Sequence, residues 1–245
     1  MRVINTVNAQ EVSEGDGVVV NRLFPISGRM NFDPFVLWDH FSIAPGHGFP
    51  DHPHRGFEAI TYMLEGGMHH QDNLGNDSFV NKGGAQIFCA GSGMVHSEMP
   101  ADKGQSVGIQ LWINLPKDLK SIEPSYQKVL EESLPIVSFQ GGYYRTIVGD
   151  ESPIKLHTVI NYRHFNIEKE GEFQLNFGQE SHAIIYVISG DLTIGEHEVN
   201  TAQALLVNSK TERDLLVQAK TGSEFMFASG IPHKQPIYQH GPYVD

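Results

Sequence analysis

Ten residues recur with their pattern intact: Glu58-Ala-Ile-Thr-Tyr-Met-Leu-Glu-Gly-Gly67 aligns with His182-Ala-Ile-Ile-Tyr-Val-Ile-Ser-Gly-Asp191 at an offset of 124 positions. In a chain of 245 residues this is about half the length, and it predicts two copies of one domain. Both copies are apolar, rich in β-branched and aromatic residues, and end at a glycine turn, which is the signature of a buried strand. Val18 to Phe24, Phe35 to Phe41, Gln86 to Cys89, Gly108 to Leu115, Lys155 to Ile160 and Arg163 to Ile167 read the same way. Many of the 25 glycines and 13 prolines fall at the breaks, as in Gly46-His47-Gly48-Phe49-Pro50 and Gly91-Ser92-Gly93. The expectation is an all-β chain of two sandwiches or barrels, divided as residues 1–130 and 131–245, with the C-terminal tail packing back on the first. Helical signal is confined to Lys117 to Leu119 after Pro116 and to Ser125 to Leu130 after Pro124.

Two further pairs carry chemistry. His52-Pro53-His54 and His96-Ser97-Glu98 each place two metal-binding side chains at i and i+2. Alternate residues of a strand share a face, so each pair can aim at one point. A helix would need i,i+4 spacing, and a structural zinc site would recruit thiolates, of which Cys89 is the single candidate. Three imidazoles and one carboxylate suit one divalent transition metal, iron, manganese, nickel or copper at least as well as zinc, with cobalt a further alternative. Carrying His52 and His54 forward by the repeat offset lands on Asn176 and Gly178, so the second copy is expected to lack the metal. Glu58, four residues beyond His54 on the same face of a regular strand, is the alternative carboxylate. Asp39, His40 and Asp51 are candidates to orient the histidines, while His69-His70, just after Gly66-Gly67, reads as rim.

Charge and cysteine count narrow the partners. A balance of 17 basic against 29 acidic residues, net −12, opposes attraction to phosphate backbones or anionic membranes. No apolar run approaches the ~20 residues that span a bilayer. Residues 1–20 lack the apolar core of a signal peptide, and one cysteine makes no internal disulfide, so a cytoplasmic protein is expected.

The spacing Gly46-x5-His52-x-His54-x3-Glu58, with Gly91-Ser92-Gly93-x2-His96, resembles the two cupin motifs. More specifically, Phe49-Pro-Asp-His-Pro-His-Arg-Gly-Phe-Glu58, Ala90-Gly-Ser-Gly-Met-Val-His-Ser-Glu-Met-Pro100, Gln110-Leu-Trp-Ile-Asn-Leu-Pro116 and His240-Gly-Pro-Tyr-Val244 resemble pirins across nearly the whole chain. That resemblance implies a bicupin, two tandem jelly-roll-like barrels with metal in the first. It implies His52, His54, His96 and Glu98 as the ligands, with Glu58 behind them or as an alternative. It also implies quercetin 2,3-dioxygenase-like chemistry on a flavonol or other small aromatic enol with O2, in which Glu98 or Glu58 takes the substrate proton. Phe41, Phe49, Phe57, Phe88, Met94 and Trp112 lie in or near the ligand-bearing segments and are expected to wall the substrate pocket. The alternative that the resemblance implies is an iron-dependent, redox-sensing regulator of a protein partner such as a transcription factor, with no direct nucleic-acid contact.

Overall fold

A computed structural model of the protein describes residues 2–208 and 213–245. Among them the strands form two seven-stranded sheets, two four-stranded sheets and a two-stranded ribbon, with single 3-10 turns at Lys117–Leu119 and Glu131–Ser133. Among the described residues no helix is long and apolar enough to cross a membrane. The chain divides into two compact units, and the boundary lies at Ser133/Leu134 rather than 130/131. The N-terminal strand Arg2–Asn8 goes with the second unit, where it pairs with Gln203–Asn208. The tail His233–Asp245 and residues Leu156–Thr158 go with the first.

In the histidine-bearing unit, the larger sheet runs Ser125–Val129, Ala85–Cys89, Phe57–Glu65, Ser106–Asn114, Phe35–Ile43, Val18–Phe24 and Gln10–Glu14. The smaller runs Phe49–His54, Met94–Pro100, Gly67–Asp72 and Asp77–Asn81. Among the described residues the interior of this unit includes two apolar clusters. One contains Val36, Phe57, Phe88, Met94 and Trp112, the other Val18, Val20, Phe41, Met63, Met68 and Val80. Burial of such side chains contributes roughly 1.5–3 kcal/mol each, which drives the two sheets together.

The tail is held by backbone geometry. Val244 donates to the Arg55 carbonyl at 3.0 Å, and Lys120 Nζ donates to the carbonyls of Val244 and Gly56 at 2.7 and 2.9 Å. Gly56 has φ +84°, and a Cβ there would collide with the Val244 carbonyl, so this position of the His-Pro-His-Arg-Gly motif demands glycine.

The other unit is built alike, from a seven-stranded sheet around His182–Ser189 and a four-stranded sheet opened by Gly171–Phe177. The repeated segment occupies the middle of its large sheet as Phe57–Glu65 does, and Tyr62 and Tyr186 are both buried. In Gly171–Phe177 the inward positions are Leu175 and Phe177, packed into one continuous core, while Asn176 is exposed.

Two segments depart from the expectations. Ser125–Val129 is an edge strand paired with Ala85–Cys89, not a helix, because the ladder satisfies its backbone where an isolated turn after Pro124 would leave it half bonded. Strand structure begins only at Ile160, since the amides of His157 and Thr158 are drawn away to the Glu58 carboxylate at 3.0–3.1 Å.

Candidate metal centre

The site is built on the small sheet of the first unit. Met94–Pro100 pairs with Phe49–His54 so that His96 faces His52 and Met94 faces His54, and a register shift then sets Glu98 opposite Phe49. The ligand-type nitrogens of His52, His54 and His96 lie within 4.8 Å of one another. His52 Nδ1 donates to the Pro50 carbonyl at 2.7 Å, and His54 Nδ1 faces the Pro242 carbonyl at a longer 3.4 Å. With Nδ1 committed, each ring keeps Nε2 as its free lone pair.

His52 Nε2 and His96 Nε2 stand 3.1 Å apart. For ligand bonds of roughly 2.1 Å that separation subtends about 95°, as for neighbouring ligands of one ion. Burial first, and the adjacent imidazoles second, pull His54 and His96 down to about 2. Both stay neutral, which is the ligand form. The three rings therefore fit a divalent transition ion.

Glu98 lies outside the triad's group. Its carboxylate accepts from Thr61 Oγ1 at 2.9 Å, Gln86 Nε2 at 2.5 Å and Gln110 Nε2 at 2.7 Å. The Gln110 amide is itself oriented, because Trp112 Nε1 donates to its Oε1 at 3.1 Å. Glu98 nevertheless lines the same cavity as His52 and His54, which has a volume of about 290 Å³. This is near the lower end of small-molecule sites.

Phe41, Phe49 and Trp112 line that cavity, with Leu37 and Met68. It opens where the two apolar clusters meet. The other expected wall residues do not line it. Phe57, Phe88 and Met94 are buried behind the histidines, Phe88 stacking on the His54 ring at 5.4 Å and Phe57 on Trp112 at 4.0 Å. Tail residues Gln239, Gly241 and Pro242 also line the cavity, as does the charged group Glu14, Arg22 and Asp39.

Glu58 is committed elsewhere. Its buried carboxylate accepts from the His157 and Thr158 amides and from His157 Nδ1 at 2.9 Å. Cys89 is close enough to make a second group of possible ligands with Glu58 and His157. Burial, together with the Glu58 charge, pushes the Cys89 thiol up to about 12, so it remains a protonated, inert core group. The group acts as a backbone clamp.

Two of the residues expected to orient the histidines are placed otherwise. Asp39 is buried in a two-bond pair with Arg22, at 2.7 and 2.6 Å, and Asp51 is exposed. His70, expected at the rim, is fully buried, with Nδ1 3.3 Å from His96 Nδ1 and Nε2 2.9 Å from Asp72 Oδ2. His70-x-Asp72 has the same i,i+2 form as the two ligand pairs, and that spacing was the signal available for it.

Comparison with known proteins shows the family. The pirin family model matches residues 17–113, and the model for the pirin C-terminal cupin domain matches residues 162–245. Human pirin is 34% identical over 252 residues, covering 99% of this chain and 87% of its own. A Pseudomonas aeruginosa protein provisionally named quercetin 2,3-dioxygenase is 33% identical over 258 residues, covering 99% and 90%. A structure of quercetin 2,3-dioxygenase from Acinetobacter baumannii superposes with a TM-score of 0.90 at 23% identity, covering 98% of this chain and 90% of that one. A nickel(II) complex of a bacterial pirin from Escherichia coli gives 0.75 at 24%, covering 91% and 95%. With two cupin domains, family matches over most of its length and close curated relatives, the chain belongs to the pirin family.

Proposed function

We propose that this pirin is a metal-dependent dioxygenase acting on quercetin-like flavonols or other small aromatic enols, with iron(II) held by His52, His54, His96 and Glu98. The observation that carries the reading is the convergence of three imidazoles, those of His54 and His96 held neutral by burial, beside a cavity with apolar walls that Glu98 also lines. The provisional name of the P. aeruginosa relative supports the same chemistry. When bound, a redox-active ion with open coordination positions supplies dioxygen activation and polarises the substrate hydroxyl.

The chain supplies the rest. Phe41, Phe49, Met68 and Trp112 offer flat and apolar walls that exclude water from a planar ring. Glu98 takes the proton of the substrate enol, and Thr61, Gln86 and Gln110 hold its two oxygens in place before that transfer. Glu58, with its oxygens occupied by the 157–158 backbone, is left out of the proton path.

The test is oxygen consumption by iron-loaded protein with quercetin, beside His54→Ala and Glu98→Gln variants of matched folding. Uptake should vanish in the first. In the second it should fall while iron content is measured in parallel. Uptake unchanged in either variant overturns the reading, and no uptake with iron fully bound would favour a redox-linked regulator.

A further inference from the structure

We infer that Asp72 and His70 form a two-residue relay that sets which nitrogen of His96 is available to a metal. The inference rests on His96 being a ligand and adds residues one strand removed from it.

The relay follows from cross-strand register. Met94–Pro100 lies between Phe49–His54 and Gly67–Asp72, with Asp72 opposite His96 and His70 opposite Glu98. Because alternate residues share a face, His52, His96 and Asp72 form one row across the sheet, and Glu98, His70 and Ser78 form the next. The side chains of His70 and Asp72 are both 0% exposed, so no water competes for their hydrogen bonds.

Proton bookkeeping then has one solution for neutral rings. The Asp72 carboxylate only accepts, so His70 Nε2 carries the hydrogen of their 2.9 Å bond. That leaves His70 Nδ1 bare, facing His96 Nδ1 at 3.3 Å, and His96 must carry the hydrogen there. His96 Nε2 is consequently the lone pair, directed at the point shared with His52 Nε2. With the opposite arrangement a hydrogen would sit on His96 Nε2, where an ion would have to be.

Both ends of the relay are immobilised. The Tyr126 ring stacks on His70 at 4.1 Å and 15°, and its hydroxyl is hydrogen-bonded to Ser78 at 2.5 Å. Asp72 Oδ1 accepts from the amides of Leu74 and Asn76 at 2.9 and 3.0 Å and from Asn76 Nδ2 at 3.0 Å. Asp72 Oδ2 accepts from Asn76 Nδ2 at 2.8 Å besides His70.

This asymmetry makes Asp72→Asn an informative variant. Two backbone N–H groups point at the Oδ1 position, so the asparagine carbonyl belongs there and its NH2 is turned toward His70. His70 Nε2 then becomes the acceptor, its Nδ1 the donor, and the hydrogen on His96 moves to Nε2. The relay reverses while the three bonds to the Oδ1 position, from the Leu74 and Asn76 amides and Asn76 Nδ2, are kept and only the 2.8 Å bond from Asn76 Nδ2 to the Oδ2 position is lost. His70→Phe retains the stacking surface for Tyr126 but removes the acceptor altogether. His69→Phe changes a neighbour whose side chain is 39% exposed and bonded to Asp77, outside the relay.

The experiment uses metal-stripped full-length protein. Ni(II) affinity is measured by competition with a chromophoric chelator, and the His96 tautomer by two-bond 1H–15N correlation without metal. Asp72→Asn and His70→Phe should each bind Ni(II) about 10–100-fold more weakly, and His69→Phe should match the parent. The parent His96 should show hydrogen on Nδ1, and Asp72→Asn should move it to Nε2. The inference is overturned if the parent carries its hydrogen on Nε2, if Asp72→Asn leaves the tautomer unchanged, or if both variants bind as the parent does. Should the parent not bind Ni(II), the metal reading fails by itself, and the tautomer measurement still decides the relay. If His70→Phe does not fold, Asp72→Asn carries the test alone.

Discussion

Glu58 offers the sharpest separation of a structural from a catalytic carboxylate, because sequence reasoning admits either role and its oxygens are bonded to the backbone of residues 157–158. Its side chain is 2% exposed and receives the amides of His157 and Thr158 together with His157 Nδ1. Glu58→Ala leaves those two amides without an acceptor, at about 1–3 kcal/mol for each buried donor, and also loses the imidazole bond and side-chain packing. The sum is about 3–5 kcal/mol. Glu58→Gln behaves differently. Its carbonyl can take the Oε2 position, where it still accepts from both amides at about the 3.1 Å seen for Glu58. Its NH2 then donates to His157 Nδ1, and the ring, 46% exposed, changes tautomer at little cost. The loss should be about 1 kcal/mol. Guanidinium denaturation should therefore show a midpoint drop on the order of 1 M for Ala and a small fraction of that for Gln. Amide exchange at Thr158 should accelerate strongly in Ala alone. Equal losses in the two variants, or an unchanged Thr158 amide in Glu58→Ala, would refute the clamp.

Further outcomes follow from the same contacts. In metal-free protein His54 and His96 titrate at about 2 when folded, against ~6.5 when unfolded, so their contribution is complete above pH 6.5 and lost as pH falls below it. Between pH 7 and 5 each should cost about 2 kcal/mol, and His54→Gln should flatten the decline in urea midpoints by that amount. A parallel decline would contradict it. Gly56→Ala forces a Cβ against the Val244 carbonyl at φ +84°, and should cost at least ~2 kcal/mol and expose residues 233–245 to limited proteolysis. Trp112→Phe deletes the donor that orients Gln110, and should lower the thermal midpoint and slow oxygen uptake, because Gln110 then holds the Glu98 carboxylate less firmly.

What could be read from sequence was whatever local periodicity encodes. A strand puts i and i+2 on one face regardless of its partners, so His52 with His54 and His96 with Glu98 were legible as pairs, and the apolar runs ending in glycine were legible as strands. The repeat carried the two-domain plan, since Phe57–Glu65 and His182–Ser189 must each be buried at the centre of a sheet. Periodicity has no access to register. His70-x-Asp72 has the same local form as the ligand pairs, and only the pairing of His96 with Asp72 places it behind the triad instead of at the rim. Glu58 shares a strand face with neither outcome marked on it, and the backbone of residues 157–158, about 100 positions away, is what occupies it. The same holds for Ser125–Val129, whose ladder with Ala85–Cys89 overrides a weak helical start, and for Pro242, which lies 188 positions from the ring it orients. Chain-local stereochemistry determined which side chains travel together; long-range hydrogen bonding decided which of them meet, because a buried donor or acceptor must find its partner wherever the fold brings one.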